Sequence, residues 1–236
     1  EISPLPQAGD LLALGDTPGS IKAGTLTPES GKVCVTGASG FIAMHLVLML
    51  LEKGYDVVAT VRSASKVAQL ALLGEKYPGK LNIIEGCDLM KMGSFDHAIQ
   101  GCIGVFHTAS PFYSVNDEGM GASINGWNEL IIPAYFGTKN ILESCIKSNS
   151  VKRVIITASY ACMINNNNPE FPPDYHYTDK TWNVSSFPNE NNEWENDAGM
   201  NTYRYSKIIA EKTAWEYDIK TNDFDIVCIN PPLVIG

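Results

Sequence analysis

Strand-like and helix-like stretches alternate along this sequence, and that alternation limits the fold more than any single residue does. Six short β-rich runs stand out: Lys32–Thr36, Asp56–Val61, Leu81–Glu85, Ile103–His107, Val151–Thr157 and Asp225–Asn230. Between them lie stretches with helical apolar spacing. These are Phe41–Lys53, Ser65–Leu73, Met92–Gln100, a long segment with Pro133 near its start that reaches Ser148, and Thr202–Lys220. Strands joined through helices return to the same end of the sheet and therefore run parallel. The pattern predicts an α/β fold, a Rossmann-type doubly wound parallel sheet with helices on both faces. The 236 residues, 44% of them hydrophobic, are enough for one large domain with a real core. Residues 1–30, rich in Pro, Gly, Thr and Ser, read as an extended N-terminal arm, and residues 31–236 as the domain. Asn165–Asn201 reads as a long polar excursion.

Composition narrows the function classes. A net charge of −9 repels phosphate backbones and argues against nucleic acid as a partner. The longest apolar run, Phe41–Leu51, falls well short of the roughly 18–20 residues that cross a bilayer, so no membrane span is expected. Six scattered cysteines form neither a Cys-x-x-Cys pair nor a metal-ligand spacing with the four histidines. They are expected to be buried, reduced thiols, and no metal site is predicted. Cytoplasmic location is the expectation. The alternative is an organelle interior after removal of a targeting peptide, since the sequence begins at Glu1 rather than Met.

The first strand runs into a glycine turn and a helix start, Val33-Cys34-Val35-Thr36-Gly37-Ala38-Ser39-Gly40-Phe41-Ile42-Ala43. Gly37 permits a sharp turn, and Gly40 lets the backbone approach a pyrophosphate over a helix N-terminus. Ala43 is small enough for close helix–sheet packing. An acidic residue closing the second strand would favour NAD. Here Arg62 closes it and Lys66 follows, which predicts the 2′-phosphate of NADP(H). Asp88, in Gly86-Cys87-Asp88-Leu89 after the third strand, has two readings: a contact to the adenine amino group, with Leu89 beside it, or an Asx turn. After the fourth strand, Thr108, Ala109 and Ser110 leave room for the cofactor's ribose and nicotinamide, while His107 reads as a packed strand residue.

Tyr203 and Lys207 are four residues apart and share one helical face, whereas Tyr205 is out of register with Lys207. A phenol titrates near 10. A cation about 4 Å away contributes roughly 4 kcal/mol at an effective dielectric of 20, on the order of three pKa units. The expectation is therefore a Tyr203 phenol brought towards working pH, able to protonate a developing alkoxide. Ser159, just past the fifth strand, lies on the sheet edge where ligands gather and is placed to hydrogen-bond a substrate carbonyl.

The motifs Thr36–Ala43, Val61–Ser63, Val105–Pro111, Thr157–Tyr160, Tyr203–Lys207 with Ala210–Lys212, and Asn230–Pro232 together resemble the extended short-chain dehydrogenase/reductase family. Within it, the sequence is similar to the fungal NADPH-dependent methylglyoxal and carbonyl reductases, including at Tyr177–Asn183, and more distantly to plant dihydroflavonol and cinnamoyl-CoA reductases. The resemblance covers Lys32 to Gly236. It implies a catalytic triad of Ser159, Tyr203 and Lys207, with the lysine also on the nicotinamide ribose. It further implies a pyrophosphate turn of Gly37, Gly40, Phe41 and Ile42, 2′-phosphate contacts at Arg62 and Lys66, and a nicotinamide lining of Pro231, Leu233 and Val234. Three departures are visible. Ala158 stands where relatives often have serine. Phe136 stands where they often have asparagine, which removes a helix-borne polar link. Relatives also continue past the sixth strand, so the resemblance implies that a C-terminal substrate portion is missing here.

The function expected is NADPH-dependent reduction of small aldehydes or ketones, methylglyoxal-like or related, to alcohols. The alternative is a cofactor-binding, non-catalytic subunit of a larger assembly; otherwise a monomer or homodimer is expected. A sugar-nucleotide epimerase or dehydratase shares the expected fold, but the basic end of the second strand speaks against it.

Overall fold

In the extended chain, side chains point alternately to opposite faces, and strand β1 (Lys32–Thr36) uses this to feed two cores. Val33 and Val35 enter one apolar cluster with Val47, Leu50 and Leu51 of helix α1 (Phe41–Glu52) and Leu70 of helix α2 (Val67–Lys76). Cys34 points the other way, into a cluster with Phe95, Ile99, Ile141, Leu142 and Trp215. Strand β2 (Val57–Thr60) divides in the same way, Val57 and Ala59 against the first cluster and Val58 against the second. Helices α3 (Asp96–Ile99), α4 (Ile132–Ser148) and α5 (Ala198–Lys220) cover that second face. Strands buried on both faces must be apolar nearly throughout, which is why these runs lack a polar–apolar alternation.

The computed structural model describes residues 23–110, 115–116, 119–120, 126–164, 174–189, 198–220 and 224–235. The remaining strands are β3 (Leu81–Ile84), β4 (Cys102–His107), β5 (Arg153–Thr157) and β6 (Asp225–Ile229). The sheet order is β3-β2-β1-β4-β5-β6, with every neighbouring pair parallel. This is the Rossmann-type doubly wound order. It reverses between β1 and β4, so a crevice opens beyond the carboxyl ends of those two strands.

The predicted strands form within two residues of their expected ends. Three helical expectations change. The Met92–Gln100 stretch yields only Asp96–Ile99, because Gly93 adopts a φ of 78° and ends the preceding loop. The long segment opens with a wide π turn over Trp127–Ile131 before α4, whose Pro133 sits in the first turn where no amide donor is required. Helix α4 stops at Asn149, which takes the left-handed conformation common just past a helix end. Helix α5 begins at Ala198, four residues before the expected start. A two-residue antiparallel ribbon, Val115–Asn116 with Gly119–Met120, was not foreseen. All six cysteines are free, and five are buried. No described helix is long and apolar enough to cross a membrane.

Of the N-terminal arm, residues 1–22 lie outside the described residues, as do 165–173 and 190–197 of the polar excursion. The described end of the arm is fastened across the amino ends of β5 and β6. The Ala23 amide donates to Asp225 Oδ2 at 2.8 Å, and Arg153 Nη2 donates to the Ala23 carbonyl at 2.7 Å and to Asp225 Oδ2 at 2.8 Å. The Tyr55 hydroxyl donates to the Leu26 carbonyl at 2.8 Å. Asp225 and Arg153 face each other in register, and the Asp225 side chain is only 2% exposed. Removing one member of a buried pair leaves a charge without its partner. Asp225→Ala is expected to lower the unfolding free energy by about 2–4 kcal/mol in urea denaturation; a change within 0.5 kcal/mol, by order of magnitude that of a surface pair, would contradict this account.

Candidate active site

Gly37 is required twice over. Its φ is 61°, in the left-handed region, and a Cβ there would stand 2.9 Å from the Ala109 α-carbon. Any side chain would push the β1 turn away from the loop after β4. The Gly40 amide donates to the Gly37 carbonyl at 2.9 Å, and Gly40 then caps α1 without a side chain. The first amides of a helix lack intrahelical acceptors and carry its positive end. The turn is thus a side-chain-free cradle facing a helix N-terminus, which fits a pyrophosphate. Phe41 and Ile42, apolar but exposed, stand at its rim.

Thr36 locks this turn to the β4 loop. Its hydroxyl accepts from the Ala109 amide at 3.1 Å and pairs with His107 Nδ1 at 2.9 Å, while the Thr108 hydroxyl donates to the Thr36 carbonyl. Thr108 and Ala109 are therefore held beside the glycine turn, with Ser110 next in the chain. Burial, with help from the nearby Lys207 charge, pushes His107 down to about 3. It is a neutral packing residue, as the sequence suggested.

Arg62 and Lys66 are exposed at the carboxyl end of β2, around a single 3₁₀ turn of Ala64–Lys66. Neither has an ion-pair partner among the described residues, so both guanidinium and ammonium are available to a phosphate. After β3, Asp88 forms the Asx turn, its Oδ1 accepting from the Met90 amide at 2.9 Å. Leu89 turns inward and packs against the core.

Helix α5 brings Tyr203 and Lys207 to the carboxyl ends of β4 and β5. Lys207 Nζ donates to Ser110 Oγ at 2.5 Å and lies 5.5 Å from the centre of the Tyr203 ring. Tyr203 shares a hydrogen bond with Ser159. Ser159 is itself fixed: its amide donates to Asn230 Oδ1 at 3.0 Å, and its Oγ accepts from the Ala161 amide at 3.2 Å. Ser159, Tyr203 and Lys207 thus meet at one edge, facing Ser110. Tyr205 packs instead among Trp127, Phe187 and Ile131, as its register predicts.

The electrostatics correct one expectation. Tyr203 is not pulled towards neutral pH by Lys207; burial raises the phenol above its ordinary value, opposed by the hydrogen bond from Ser159. Spacing put the two residues on one face, but the ammonium sits on Ser110 rather than on the phenol oxygen. Lys207, 7% exposed, is itself lowered by burial to about 8.

Several supporting residues were not identified from the sequence. Glu211, one turn beyond Lys207 and 6% exposed, accepts from Asn230 Nδ2 at 3.4 Å, so a Glu211–Asn230–Ser159 chain holds the serine from behind. Asn183 donates from its amide to the Cys162 carbonyl at 2.7 Å and from Nδ2 to the Ala161 carbonyl at 3.2 Å, bracing the turn after Ser159. The four-residue spacing of Tyr203, Lys207 and Glu211 was the signal available for Glu211. Pro231 is brought to the same turn, its carbonyl accepting from the Tyr160 amide at 3.1 Å. Leu233 and Val234 are exposed beyond it.

The family described as NAD dependent epimerase/dehydratase matches residues 33–236. A cinnamoyl-CoA reductase of Medicago truncatula is 44% identical over 210 residues, covering 86% of this chain and 58% of that protein. Among solved structures, yeast methylglyoxal/isovaleraldehyde reductase Gre2 complexed with NADPH is 32% identical with a TM-score of 0.71, over 85% of this chain and 57% of that one. Gre2 of Candida albicans in complex with NADPH is 34% identical with a TM-score of 0.72, over 87% and 59%. The chain spans somewhat more than half the length of these relatives. With the glycine cradle, the sheet order and the matched span in agreement, the chain belongs to the NAD-dependent epimerase/dehydratase family.

Proposed function

We propose that this protein binds NADPH and reduces a small aldehyde or ketone to the alcohol. The observation that carries this reading is the meeting of Ser159, Tyr203 and Lys207 at the crevice edge next to Ser110. The Gre2 structures solved with NADPH support the cofactor, and both Gre2 and the cinnamoyl-CoA reductase support carbonyl reduction. Exposed Arg62 and Lys66 would hold the 2′-phosphate, the Gly37–Gly40 turn with Phe41 and Ile42 the pyrophosphate, and the loop at Asp88 and Leu89 the adenine side. Thr108, Ala109, Ser110, Pro231, Leu233 and Val234 would border the ribose and nicotinamide.

When bound, NADPH supplies a hydride. Ser159 would hydrogen-bond the substrate's carbonyl oxygen, and Tyr203 would give its proton to that oxygen as negative charge develops. A phenol raised by burial suits this direction, because it remains protonated at neutral pH until the alkoxide forms. Lys207, tied to Ser110, would orient the nicotinamide ribose. Its ammonium favours an incoming anionic dinucleotide.

Three outcomes test this. NADPH oxidation with methylglyoxal, isovaleraldehyde and simple diketones is expected, and Tyr203→Phe should lower kcat by about 10²–10⁴-fold while NADPH binding, followed by fluorescence, stays within a few-fold. If wild type and variant are equally inactive while NADPH stays bound, a non-catalytic cofactor subunit is the better description. Arg62→Glu with Lys66→Ala should raise the KM for NADPH by about 10–100-fold, from lost charged hydrogen bonds, with little change for NADH; equal losses for both cofactors would exclude a 2′-phosphate role. Lys207 is charged below about pH 8 and loses its proton above it. The pH profile of kcat/KM for NADPH should therefore be flat below that value and fall above it, and a profile that rises there would refute the role given to its charge.

A further inference from the structure

We propose that Asn140 is a positioning residue for the adenosine half of the cofactor, acting through the loop after β3. The inference rests on the NADPH reading above, but not on the carbonyl chemistry. Asn140 stands on α4 and is fully buried. Its Nδ2 lies 3.3 Å from the Asp88 carbonyl, 3.2 Å from that of Leu89 and 2.9 Å from that of Lys91. An amide nitrogen has two hydrogens, so one of them is shared. Its Oδ1 accepts from the Gly93 amide at 2.9 Å. A single side chain thus binds four backbone groups within the stretch Asp88–Gly93 of the loop.

That loop leaves the carboxyl end of β3, on the edge of the sheet where ligands of doubly wound folds bind. It has neither strand nor helix; the Lys91 amide closes one turn on the Asp88 carbonyl at 3.1 Å and the Ser94 amide another on the Lys91 carbonyl at 3.0 Å, and Asn140 joins both turns, with the Leu89 carbonyl and the Gly93 amide, to α4. Ser94 supplies two more bonds at one end: its Oγ accepts from the Asp88 amide at 3.1 Å and donates to the Asp88 carbonyl at 2.7 Å. With its main chain held at Asp88, Leu89, Lys91 and Gly93, the Asx turn at Asp88 presents one fixed geometry. Without Asn140 the loop would be free to sample others, and ordering it again would cost binding energy. The nicotinamide side is held by different groups, Thr36 and Lys207, and is not tied to this loop by any of these bonds.

The test is calorimetric titration with adenosine 2′,5′-bisphosphate, which reports the adenosine half alone, beside NADPH titration and steady-state kinetics. Asn140→Leu keeps approximate volume and removes all four bonds. It should weaken adenosine 2′,5′-bisphosphate and NADPH by a similar factor of ten or more, with kcat at saturating NADPH within twofold. If Asn140→Leu does not fold, Ser94→Ala leaves α4 intact and frees the Asp88 end of the same loop. It should weaken adenosine 2′,5′-bisphosphate at least threefold, again without loss of kcat. Unchanged bisphosphate affinity in the folded variant, or a fall in kcat in place of affinity, overturns the proposal. Wild type failing to bind the bisphosphate at all would remove the NADPH reading beneath it, a result distinct from an unchanged variant.

Discussion

The close approach of Gly37 to Ala109 governs the rest of the site. A 2.9 Å gap to a backbone carbon leaves no room for even a methyl group, and a positive φ adds conformational strain for any L-residue. The Thr36 hydroxyl then ties both loops together at one atom, with the neutral His107 ring wedged beneath. Two loops that would otherwise move independently form one rigid lip around the crevice. Everything proposed for the cofactor, from the pyrophosphate cradle to the ribose-facing Ser110, depends on that lip keeping its shape.

The edge where Ser159, Tyr203 and Lys207 meet is built on burial rather than on mutual charge. Taking water away from Lys207 makes its proton easier to lose, and taking water away from Tyr203 makes its proton harder to lose. The two shifts drive apart groups that differ little to begin with, leaving the ammonium the first of the two to lose its proton. They suit a lysine that holds an anionic ligand and a tyrosine that waits to donate. Ser159 links them to the sheet through Asn230, and Asn230 to α5 through Glu211, so helix and strand ends cannot shift independently.

Most of the architecture was legible because it follows from local periodicity. Strands with apolar residues on both faces, separated by helical spacing and opened by a glycine turn, leave few alternatives. Tyr203, Lys207 and Ser159 were legible because helix spacing and sheet-edge rules place them on one rim. The direction of the phenol shift was not, since residue spacing gives a shared face but neither the solvent exposure nor the partner that the ammonium selects. The supporting residues were hidden for a different reason. Asn140 meets its loop across 47 to 52 positions, and Asn230 meets Ser159 across 71, distances at which a sequence carries no local signal. Phe136, which suggested a lost polar link on α4, lies in an apolar cluster, while the polar anchor on the same helix stands one turn further along.

The clasp of Ala23, Arg153 and Asp225 joins residues 202 positions apart. Closing so long a loop is entropically unfavourable, by an amount that grows slowly with length. Such a contact forms only after the intervening strands are in place, so it belongs late on the folding route. Interactions absent from the transition state retard escape from the native state more than they hasten arrival. The clasp therefore acts as a latch on the lifetime of the folded sheet, at β6, the edge strand among the described residues.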